Sequence, residues 1–256
     1  METRNIIRLG VTESTNSVAL EVGQQGAAPG TVIVAEAQTG GRGRLNRSWL
    51  SPPDMGLYFS VILRPELAPE HLPKITLAAG LAVCKVVETE YGVLPKIKWP
   101  NDLLLGGSKF AGILSETGAM QNKSTGQEPL VVVGVGINLF PPEGGFPAEL
   151  QEQATALSLH VSREISAETV LEACVLSIEK EVQHLVTGDF QTILKEWMQR
   201  DASKDKILTW VTPKGEKVTG VSLGPDADGV LHIRDQAGAI HTVISGDIKL
   251  VGKISG

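Results

Sequence analysis

A short glycine- and arginine-rich segment, Gly40-Gly41-Arg42-Gly43-Arg44, has the composition best suited to binding an anion. Glycine lets a ligand approach the backbone closely, and arginine presents a planar fork that matches carboxylate and phosphate groups. Arg47 and Trp49 add a further cation and a flat aromatic surface. Taken alone, the segment is equally typical of a solvated surface turn. An RNA-binding loop is less favoured, because the segment occurs once in an acidic chain.

A second segment with reactive groups is Lys98-Trp99-Pro100-Asn101-Asp102. Pro100 restricts Trp99 to an extended conformation. The carboxylate of Asp102 could hold Mg²⁺ or orient an incoming amine. The same residues also suit a Trp–Pro packing contact followed by an Asn-Asp turn, and spacing alone favours that structural interpretation.

Three other segments carry polar groups or glycines that could serve a ligand. Lys109 follows the turn Gly106-Gly107-Ser108 and could balance phosphate charge or be a snorkelling surface lysine; the glycine spacing is not that of a Walker loop. Ser14 is a natural helix N-cap, but Ser14-Thr15-Asn16 also offers donors and acceptors to a polar ring. The run Gly134–Asn138 lacks the third glycine of a dinucleotide fingerprint and is predicted to let the backbone pack closely beside a ligand.

Overall charge and histidine spacing exclude several function classes. The 256 residues include 23 basic and 29 acidic side chains, a net charge of −6, which argues against a duplex DNA-binding protein but leaves room for a local basic site. Nucleophilic catalysis has no local sequence signature. The histidines have no zinc-ligand spacing; they are His71, His160, His184, His232 and His241.

The two cysteines and the distribution of apolar residues indicate the cellular compartment of the protein. Cys84 and Cys174 lie in segments with helical apolar spacing and are expected to be reduced and buried, a disulfide between them being the less favoured alternative. The N-terminus lacks the apolar stretch of a signal peptide, and no run of about 18 apolar residues could cross a bilayer. These features predict a soluble, cytoplasmic protein without a membrane partner.

Elements that would position the first three candidate segments can be predicted from periodicity. Ser14–Gly23 should be a short helix, and Thr31–Ala37 and Gly56–Leu63 should be strands. The polar segment Gln38–Pro53 between those strands is long enough to suggest a functional loop. Apolar residues at three- and four-residue steps predict a helix over about Pro69–Tyr91.

The rest of the chain divides into two parts. Leu103–Leu105 and Phe110–Ser115 flank Gly106-Gly107 as a hairpin, and Leu130–Val135 should be a buried strand. Ser166–Arg200 has helical periodicity that breaks near Gly188-Asp189. Beyond residue 205, short strands at regular spacing predict a small antiparallel barrel and hence two domains, 1–204 and 205–256. Those strands are Ile207–Thr212, Lys217–Leu223, Val230–Arg234 and Ile240–Ile244.

Taken in order, the segments resemble those of biotin–protein ligases, also called biotin–[acetyl-CoA carboxylase] ligases. The similarity is dense from residue 14 to residue 138 and loose beyond it. Six matching pieces in the right order make it specific. They are Ser14–Asn16, Ala35–Gln38 leading to Gly41–Arg44, Arg47–Trp49, Lys98–Asp102, Lys109–Leu114 and Gly134–Asn138.

The resemblance implies an α+β fold: a catalytic domain of mixed β-sheet with flanking helices, of the class II synthetase-like biotin–lipoate ligase type, followed by an SH3-like barrel. Some members carry an N-terminal DNA-binding domain. Here the Ser-Thr-Asn motif begins at residue 14, so the short, ligase-only type without DNA binding is expected. Homodimers are common in the family and are a further expectation.

The reaction that the resemblance implies has two steps. Biotin and ATP, with Mg²⁺ carried on the nucleotide rather than by protein ligands, give biotinyl-5′-AMP and pyrophosphate. A lysine of the biotin carboxyl carrier protein of acetyl-CoA carboxylase, or of a related biotin-dependent enzyme, then takes the biotinyl group and releases AMP. No protein nucleophile is required, so catalysis would be positioning and charge stabilisation.

Site roles follow from the resemblance, position by position. Ser14, Thr15, Asn16 and Gln38 would bind the ureido ring of biotin. Arg42, Gly43 and Arg44 would cover its carboxylate and the adenylate phosphate. Lys109 would lie against the biotin carboxylate and the α-phosphate, and Asp102 would assist the acceptor lysine or Mg²⁺. Trp49 would lie near the adenine. The implied catalytic residues are Lys109, Arg44 and Asp102, and the implied adenylate contacts are Arg42, Arg44, Arg47, Trp49, Asn101, Lys109 and Asn138.

The chain departs from the family pattern in two places, and two other functions stay open. Arg44-Leu45-Asn46-Arg47 stands where many relatives have a further glycine, and Phe140–Ala156 matches the adenylate-side loop too loosely to assign residues. A lipoate–protein ligase would share the fold and the adenylate chemistry. A non-catalytic nucleotide- or RNA-binding module is the alternative from another class.

Overall fold

A seven-stranded mixed sheet forms the centre of the computed structural model, which describes residues 4–118, 129–212, 215–243 and 247–250. The strand order is β1-β2-β3-β7-β6-β5-β4, with β1 and β2 parallel and the other neighbours antiparallel. The strands are β1 Ile6–Thr12, β2 Val32–Gln38, β3 Gly56–Leu63, β4 Lys96–Lys98, β5 Asp102–Leu105, β6 Ser108–Thr117 and β7 Val131–Asn138.

Helices cover both faces of this sheet because its strands alternate between two buried sets of side chains. Ile33 and Ile62 belong to a core beneath one helix, whereas Val32 and Val61 belong to the larger core on the opposite face. The helices are α1 Thr15–Gln24 on the first face, and α2 Lys74–Tyr91, α3 Ala167–Val186 and α4 Phe190–Met198, which pack with the larger core. The predicted α+β class and mixed sheet are thereby confirmed.

The predicted start of α2 was wrong. Pro69–His71 forms a separate 3₁₀ turn, and α2 begins at Lys74, directly after Pro73. Proline lacks the N–H that a helix interior needs, so Pro73 can stand at the start of the α-helix but not inside it. The predicted break near Gly188-Asp189 is confirmed, because Gly188 has φ +87° and separates α3 from α4.

The C-terminal strands form a second, antiparallel sheet of five strands in the order β11-β10-β9-β8-β12. Four of its strands were predicted and β12 was not; the Pro213-Lys214 part of one predicted turn and Ile244 lie outside the described residues. Leu208, Leu231 and Ile248 of this sheet join the larger core, so the boundary between 1–204 and 205–256 stays a prediction. The strands are β8 Ile207–Val211, β9 Lys217–Pro225, β10 Leu231–Asp235, β11 Ile240–Val243 and β12 Asp247–Leu250.

Cys84 of α2 and Cys174 of α3 are free and buried, as predicted. Burial raises the pKa of both thiols, that of Cys174 to about 12, because the thiolate would be desolvated. They therefore act as small hydrophobic side chains of the core. Among the described residues, no helix has the length and apolar character needed to cross a membrane.

Candidate active site

All thirteen candidate site residues line one cleft of about 1020 Å³ on the α1 face of the sheet. They come from α1, from the loop after β2, from β5 and β6, and from the end of β7, segments up to 124 positions apart in the chain. Segments that are far apart in the sequence therefore meet in a single cavity. The thirteen are Ser14, Thr15, Asn16, Gln38, Arg42, Gly43, Arg44, Arg47, Trp49, Asn101, Asp102, Lys109 and Asn138.

Glycines of β6 and β7 form the floor of the cleft. A Cβ at Gly134 would overlap the Asn16 carboxamide, and one at Gly136 would overlap the Trp49 indole. The predicted reason for these glycines was close approach of a ligand to the backbone. In the structure they seat Asn16 and Trp49 directly on the sheet, and the close approach of a ligand stays a prediction.

The polar end of the cleft is held together by the side chain of Gln38. Gln38 Oε1 accepts from the Thr15 backbone N–H (2.8 Å) and from Thr15 Oγ1 (3.2 Å), while its Nε2 donates to Ser51 Oγ (2.9 Å). Ser14 is the N-cap residue by position but makes no side-chain cap hydrogen bond, so the capping role predicted for it was wrong. Gln38, from the neighbouring strand, satisfies the helix N-terminus instead.

Asn16 is fixed by groups on two strands. Ser60 Oγ donates to Asn16 Oδ1 (2.6 Å), and Asn16 Nδ2 donates to the Leu114 carbonyl (3.1 Å) and to Glu116 Oε2 (2.7 Å). The Ser14 side chain is only 3% exposed, lines the cleft and has no hydrogen-bond partner among the described residues. Ser14 therefore offers the free hydroxyl at this end.

The arginine segment folds as a small hairpin above the floor. Arg42 and Ser48 pair as an antiparallel bridge, and the Gly43 N–H donates to the Arg47 carbonyl (2.7 Å). The tip residues Leu45 (φ +55°) and Asn46 (φ +58°) adopt the left-handed conformation, which glycine adopts without strain. A glycine would therefore fit at either tip position without strain.

The two arginines of the hairpin have different partners. Arg42 Nη2 donates to Glu116 Oε2 (2.7 Å), so its charge is already compensated. The Arg44 guanidinium lies over the Trp99 ring, 5.9 Å from its centroid, in a cation–π geometry. Arg42 is thus an anchored cation, and both arginines line the cleft.

Lys109 and Asp102 occupy the middle of the cleft. Lys109 Nζ lies 2.5 Å from Asp102 Oδ1 and 5.0 Å from the centroid of the Trp49 ring, and Lys98 Nζ lies 3.9 Å from Asp102 Oδ2. Asp102 is therefore flanked by two lysines on adjacent strands. An anion that binds here would therefore compete with the Asp102 carboxylate for the Lys109 ammonium.

The far end of the cleft is built by Asn138 and the segment after β7. Asn138 Nδ2 donates to the Thr155 carbonyl (3.0 Å), while its Oδ1 is buried without a partner. Thr155 Oγ1 pairs with His160 Nε2 (2.8 Å), and burial lowers the pKa of His160 below its ordinary value. A buried acceptor of this kind needs a donor, and a ligand can supply one.

Asn101 has a structural contact that the sequence did not reveal. Its side-chain Nδ2 donates to the Ile113 carbonyl (2.9 Å), and its backbone carbonyl accepts from the Ile113 N–H (3.1 Å). The amide group proposed for nucleotide binding is therefore used to tie the segment at 98–102 to β6. Any direct contact of Asn101 with a ligand would involve its Oδ1.

Several residues of the site were not predicted. Ser60 and Glu116 hold Asn16, and Ile248 and Lys249 of β12 reach the cleft from the second sheet. Ser60 had a usable signal, since it is the one hydroxyl in the otherwise apolar strand Gly56–Leu63 apart from Tyr58. Lys249 had none, because its contact depends on how the two sheets pack.

Comparisons with known proteins agree with this geometry. Residues 9–138 match the model of the biotin/lipoate A/B protein ligase family. The chain is 35% identical to the bifunctional ligase/repressor BirA of Bacillus spizizenii, over 96% of this chain and 74% of that protein. It is 31% identical to the biotin–[acetyl-CoA-carboxylase] ligase of Mycobacterium tuberculosis, over 93% and 85% of the two chains. The Aquifex aeolicus biotin protein ligase in complex with biotin and ATP superimposes with a TM-score of 0.82 at 27% identity, covering 97% and 99%.

Proposed function

The chain belongs to the biotin/lipoate A/B protein ligase family, and we infer from this and from the cleft that it is a biotin–[acetyl-CoA-carboxylase] ligase. The observation that carries this inference is the set of groups that line one cleft. Hydroxyl and amide groups stand at Ser14–Asn16, cations at Lys109 and Arg44, and a buried acceptor at Asn138. That set suits biotinyl-5′-AMP, with its ureido ring, acyl phosphate and base.

The first step requires two anions to be brought together. An oxygen of the biotin carboxylate attacks the α-phosphorus of ATP, and pyrophosphate leaves with the electrons of the broken P–O bond. Lys109 would exchange Asp102 for the reacting carboxylate and α-phosphate, and Arg44 would cover the same phosphate. Both charges offset the repulsion between the reactants, and their effect is largest in the transition state.

The second step transfers the biotinyl group to a carrier domain. The amine of the acceptor lysine attacks the acyl carbon, an amide forms and AMP leaves. The incoming amine must be neutral to attack, so a group near the acyl carbon must take its proton. We assign this to Asp102, the carboxylate beside Lys109, once Lys109 has turned to the phosphate.

We further propose that Mg²⁺ enters on the nucleotide. Within the described part of the chain no three His, Cys, Asp or Glu side chains are grouped to hold a metal ion, and Asp102 is ion-paired with Lys109. Mg²⁺ in nucleotide sites is often held by few protein ligands and several phosphate oxygens. Its contribution when bound would be to neutralise the departing pyrophosphate.

The polar end of the cleft favours biotin over lipoate. A ureido ring offers two N–H donors and a carbonyl acceptor, whereas a dithiolane ring offers neither. Burying the Ser14 hydroxyl against a dithiolane would leave it without a partner, which costs about 1–3 kcal/mol. A non-catalytic nucleotide- or RNA-binding module would not require this closed, polar end.

Pyrophosphate exchange tests the proposal. We expect the protein to exchange label between pyrophosphate and ATP when biotin is added, and not when lipoate replaces it. Exchange with lipoate alone would identify a lipoate ligase. ATP binding without exchange under either condition would favour the non-catalytic module.

A further inference from the structure

The turn between β9 and β10, residues Asp226–Gly229, docks against the catalytic part of the molecule. The carbonyl of Gly229 accepts a hydrogen bond from the indole Nε1–H of Trp99 (3.0 Å). Trp99 is 7% exposed, and its ring is the surface over which Arg44 lies. Gly229, from a turn of the second sheet, therefore holds the Trp99 ring on which Arg44 lies in the cleft.

The docking position is specified by shape. Gly229 is buried with φ +79°, and a Cβ there would come within 2.7 Å of Leu77 Cδ1 and 3.2 Å of Phe190 Cζ. The turn thus fits into a notch between α2 and α4 that has no room for a side chain. A larger residue would require either the Leu77 side chain to move or the Gly229 backbone, with the carbonyl that accepts from Trp99, to shift.

Charge adds a second contact at the same place. Lys74 Nζ, on a side chain that is only 10% exposed, lies 3.1 Å from Asp228 Oδ1 and 4.6 Å from the centroid of the Phe190 ring. Asp226 stiffens the turn from inside, since its Oδ1 accepts from the backbone N–H groups of Asp228 and Val230 and its Oδ2 pairs with His232. The turn is therefore rigid in itself and held on two sides.

We propose that the Asp226–Gly229 turn positions Arg44: it orients the Trp99 indole through the Gly229 carbonyl, and the indole holds the Arg44 guanidinium over the cleft. This rests on the proposed function, in which Arg44 retains biotinyl-5′-AMP. The turn and Trp99 are positioning elements, since neither needs to touch the reacting atoms. Their contribution would be a longer lifetime of the bound adenylate.

Matched glycine variants of the full chain test this. Gly229→Ala places a methyl group in the notch, whereas Gly238→Ala changes another barrel glycine of positive φ (+86°) around which a Cβ would meet nothing within 4 Å. The adenylate is formed in place from labelled biotin and ATP, free ligands are removed, and its release is followed. We expect release about two- to fivefold faster in Gly229→Ala, the range set by a cation–π contact, and unchanged in Gly238→Ala. Equal release rates in the two variants would overturn the proposal.

A double-variant cycle separates positioning from general destabilisation. Trp99→Phe removes the indole N–H, and Trp197→Phe is its control, because Trp197 is fully buried in α4 and its Nε1 has no partner. Combining Trp99→Phe with Gly229→Ala should speed release no more than either change alone, because both break one contact. Additive effects, or an equal effect of Trp197→Phe, would contradict the proposal.

Two further measurements keep the outcome decisive. If circular dichroism shows that Gly229→Ala is unfolded, Asp228→Asn is tested in its place, because the Asp228 side chain is 76% exposed and its replacement should not prevent folding. Loss of the ion pair with Lys74 should still speed adenylate release about twofold at low salt. The biotin dissociation constant should stay within about twofold of wild type in every variant. Wild-type protein that forms no adenylate would refute the proposed function, whereas wild-type lifetimes in the variants would refute only the role of the turn.

Discussion

Lys109 is a cation whose charge is compensated before any ligand arrives. Its ammonium lies 2.5 Å from Asp102 Oδ1 and over the Trp49 ring, with its side chain 30% exposed. Binding an anionic substrate therefore replaces one ion pair by another, so Lys109 gains little in the ground state. Its stabilisation is larger in the transition state, where negative charge is concentrated between the carboxylate and the phosphate.

Replacing Lys109 by Ala should therefore affect rate more than affinity. We expect adenylation to slow by about 10²–10³-fold, as for loss of one charge-stabilising donor, with the biotin dissociation constant changed less than tenfold. Single-turnover pyrophosphate release and calorimetry give the two values. Lys96→Ala, an exposed lysine of β4 outside the cleft, is the control. Equal losses in rate and affinity would make Lys109 a binding residue only.

Arg44 should determine retention of the intermediate. A hydrogen bond between charged groups contributes about 1.5–3 kcal/mol, which corresponds to release about 10–100-fold faster in Arg44→Ala. Gel filtration of the preformed adenylate complex measures this. Arg163, which pairs with Glu90 at the surface, provides an arginine control. Unchanged dissociation would mean that the adenylate is held by other groups.

At the scale of the elements, the site depends on a part of the sheet where glycines leave the backbone without side chains. Gly134 and Gly136 lie on adjacent same-face positions of β7, and the space above them is filled by Asn16 and Trp49. Because β3 carries Ser60 on that face too, α1 can approach until its first turn hydrogen-bonds to the sheet. The position of α1 at the polar end of the cleft therefore depends on the alternation of side chains along these strands.

Gly134→Ala should damage this end selectively. The added methyl group would displace the Asn16 carboxamide, at an overpacking cost of about 1–3 kcal/mol, so we expect biotin to bind about 5- to 150-fold more weakly. Calorimetric titration with biotin measures the loss. Gly80→Ala is the matched control, because a Cβ there meets Leu103 at an ordinary 3.6 Å. Wild-type affinity in Gly134→Ala would show that Asn16 does not shape the pocket.

Two carboxylates of the second sheet and its turns, Asp226 and Asp235, make stability depend on pH. Partial burial acts to raise the pKa of Asp226, but the hydrogen bond with His232 and two backbone N–H groups outweigh it and hold the pKa below its ordinary value. The hydrogen bond with His241 likewise lowers the pKa of Asp235. A lowered folded-state pKa gives stability that is complete above the unfolded value, about 3.9, and is lost as pH falls through the folded value.

Asp226→Asn should accordingly flatten the acid limb of the stability curve. Asn can still accept both backbone hydrogen bonds through its Oδ1, so the change removes the charge and the Oδ2 acceptor that pairs with His232. We expect the free energy of unfolding at pH 7 to fall by less than about 1 kcal/mol, since the pair is partly exposed. Urea titrations from pH 7 to pH 3 measure the slope. An acid limb as steep as that of wild type would exclude Asp226 as a contributor.

Secondary-structure elements were predicted correctly where the local sequence pattern was strong. The apolar run Gly56–Leu63 and the turn at Gly106-Gly107, with φ +55° and +84°, were placed correctly because local composition and backbone sterics determine them. The start of α2 was placed too early although Pro73 is a local signal, and the cap of α1 was missed because Gln38 lies on another strand. The same applies to Glu116, whose partners Asn16 and Arg42 lie 100 and 74 positions away.

At the scale of the whole molecule, the order of weak motifs was more informative than any one motif. Gly41–Arg44 alone was as typical of a surface turn as of a site, yet all thirteen predicted positions line one cleft. The contribution of the second sheet could not be predicted, because Trp99–Gly229 and Lys249 depend on packing between parts distant in sequence. Homodimer formation, absence of DNA binding and cytoplasmic location stay predictions.

The most direct test of the account is transfer of biotin to a carrier. The protein is incubated with ATP, Mg²⁺, biotin and the biotin carboxyl carrier domain of acetyl-CoA carboxylase, and the carrier is weighed by intact mass spectrometry. We predict one added biotinyl group on the acceptor lysine, dependent on ATP and absent when lipoate replaces biotin or when that lysine is changed to Arg. An unmodified carrier, or a lipoyl group in place of biotin, would contradict the account.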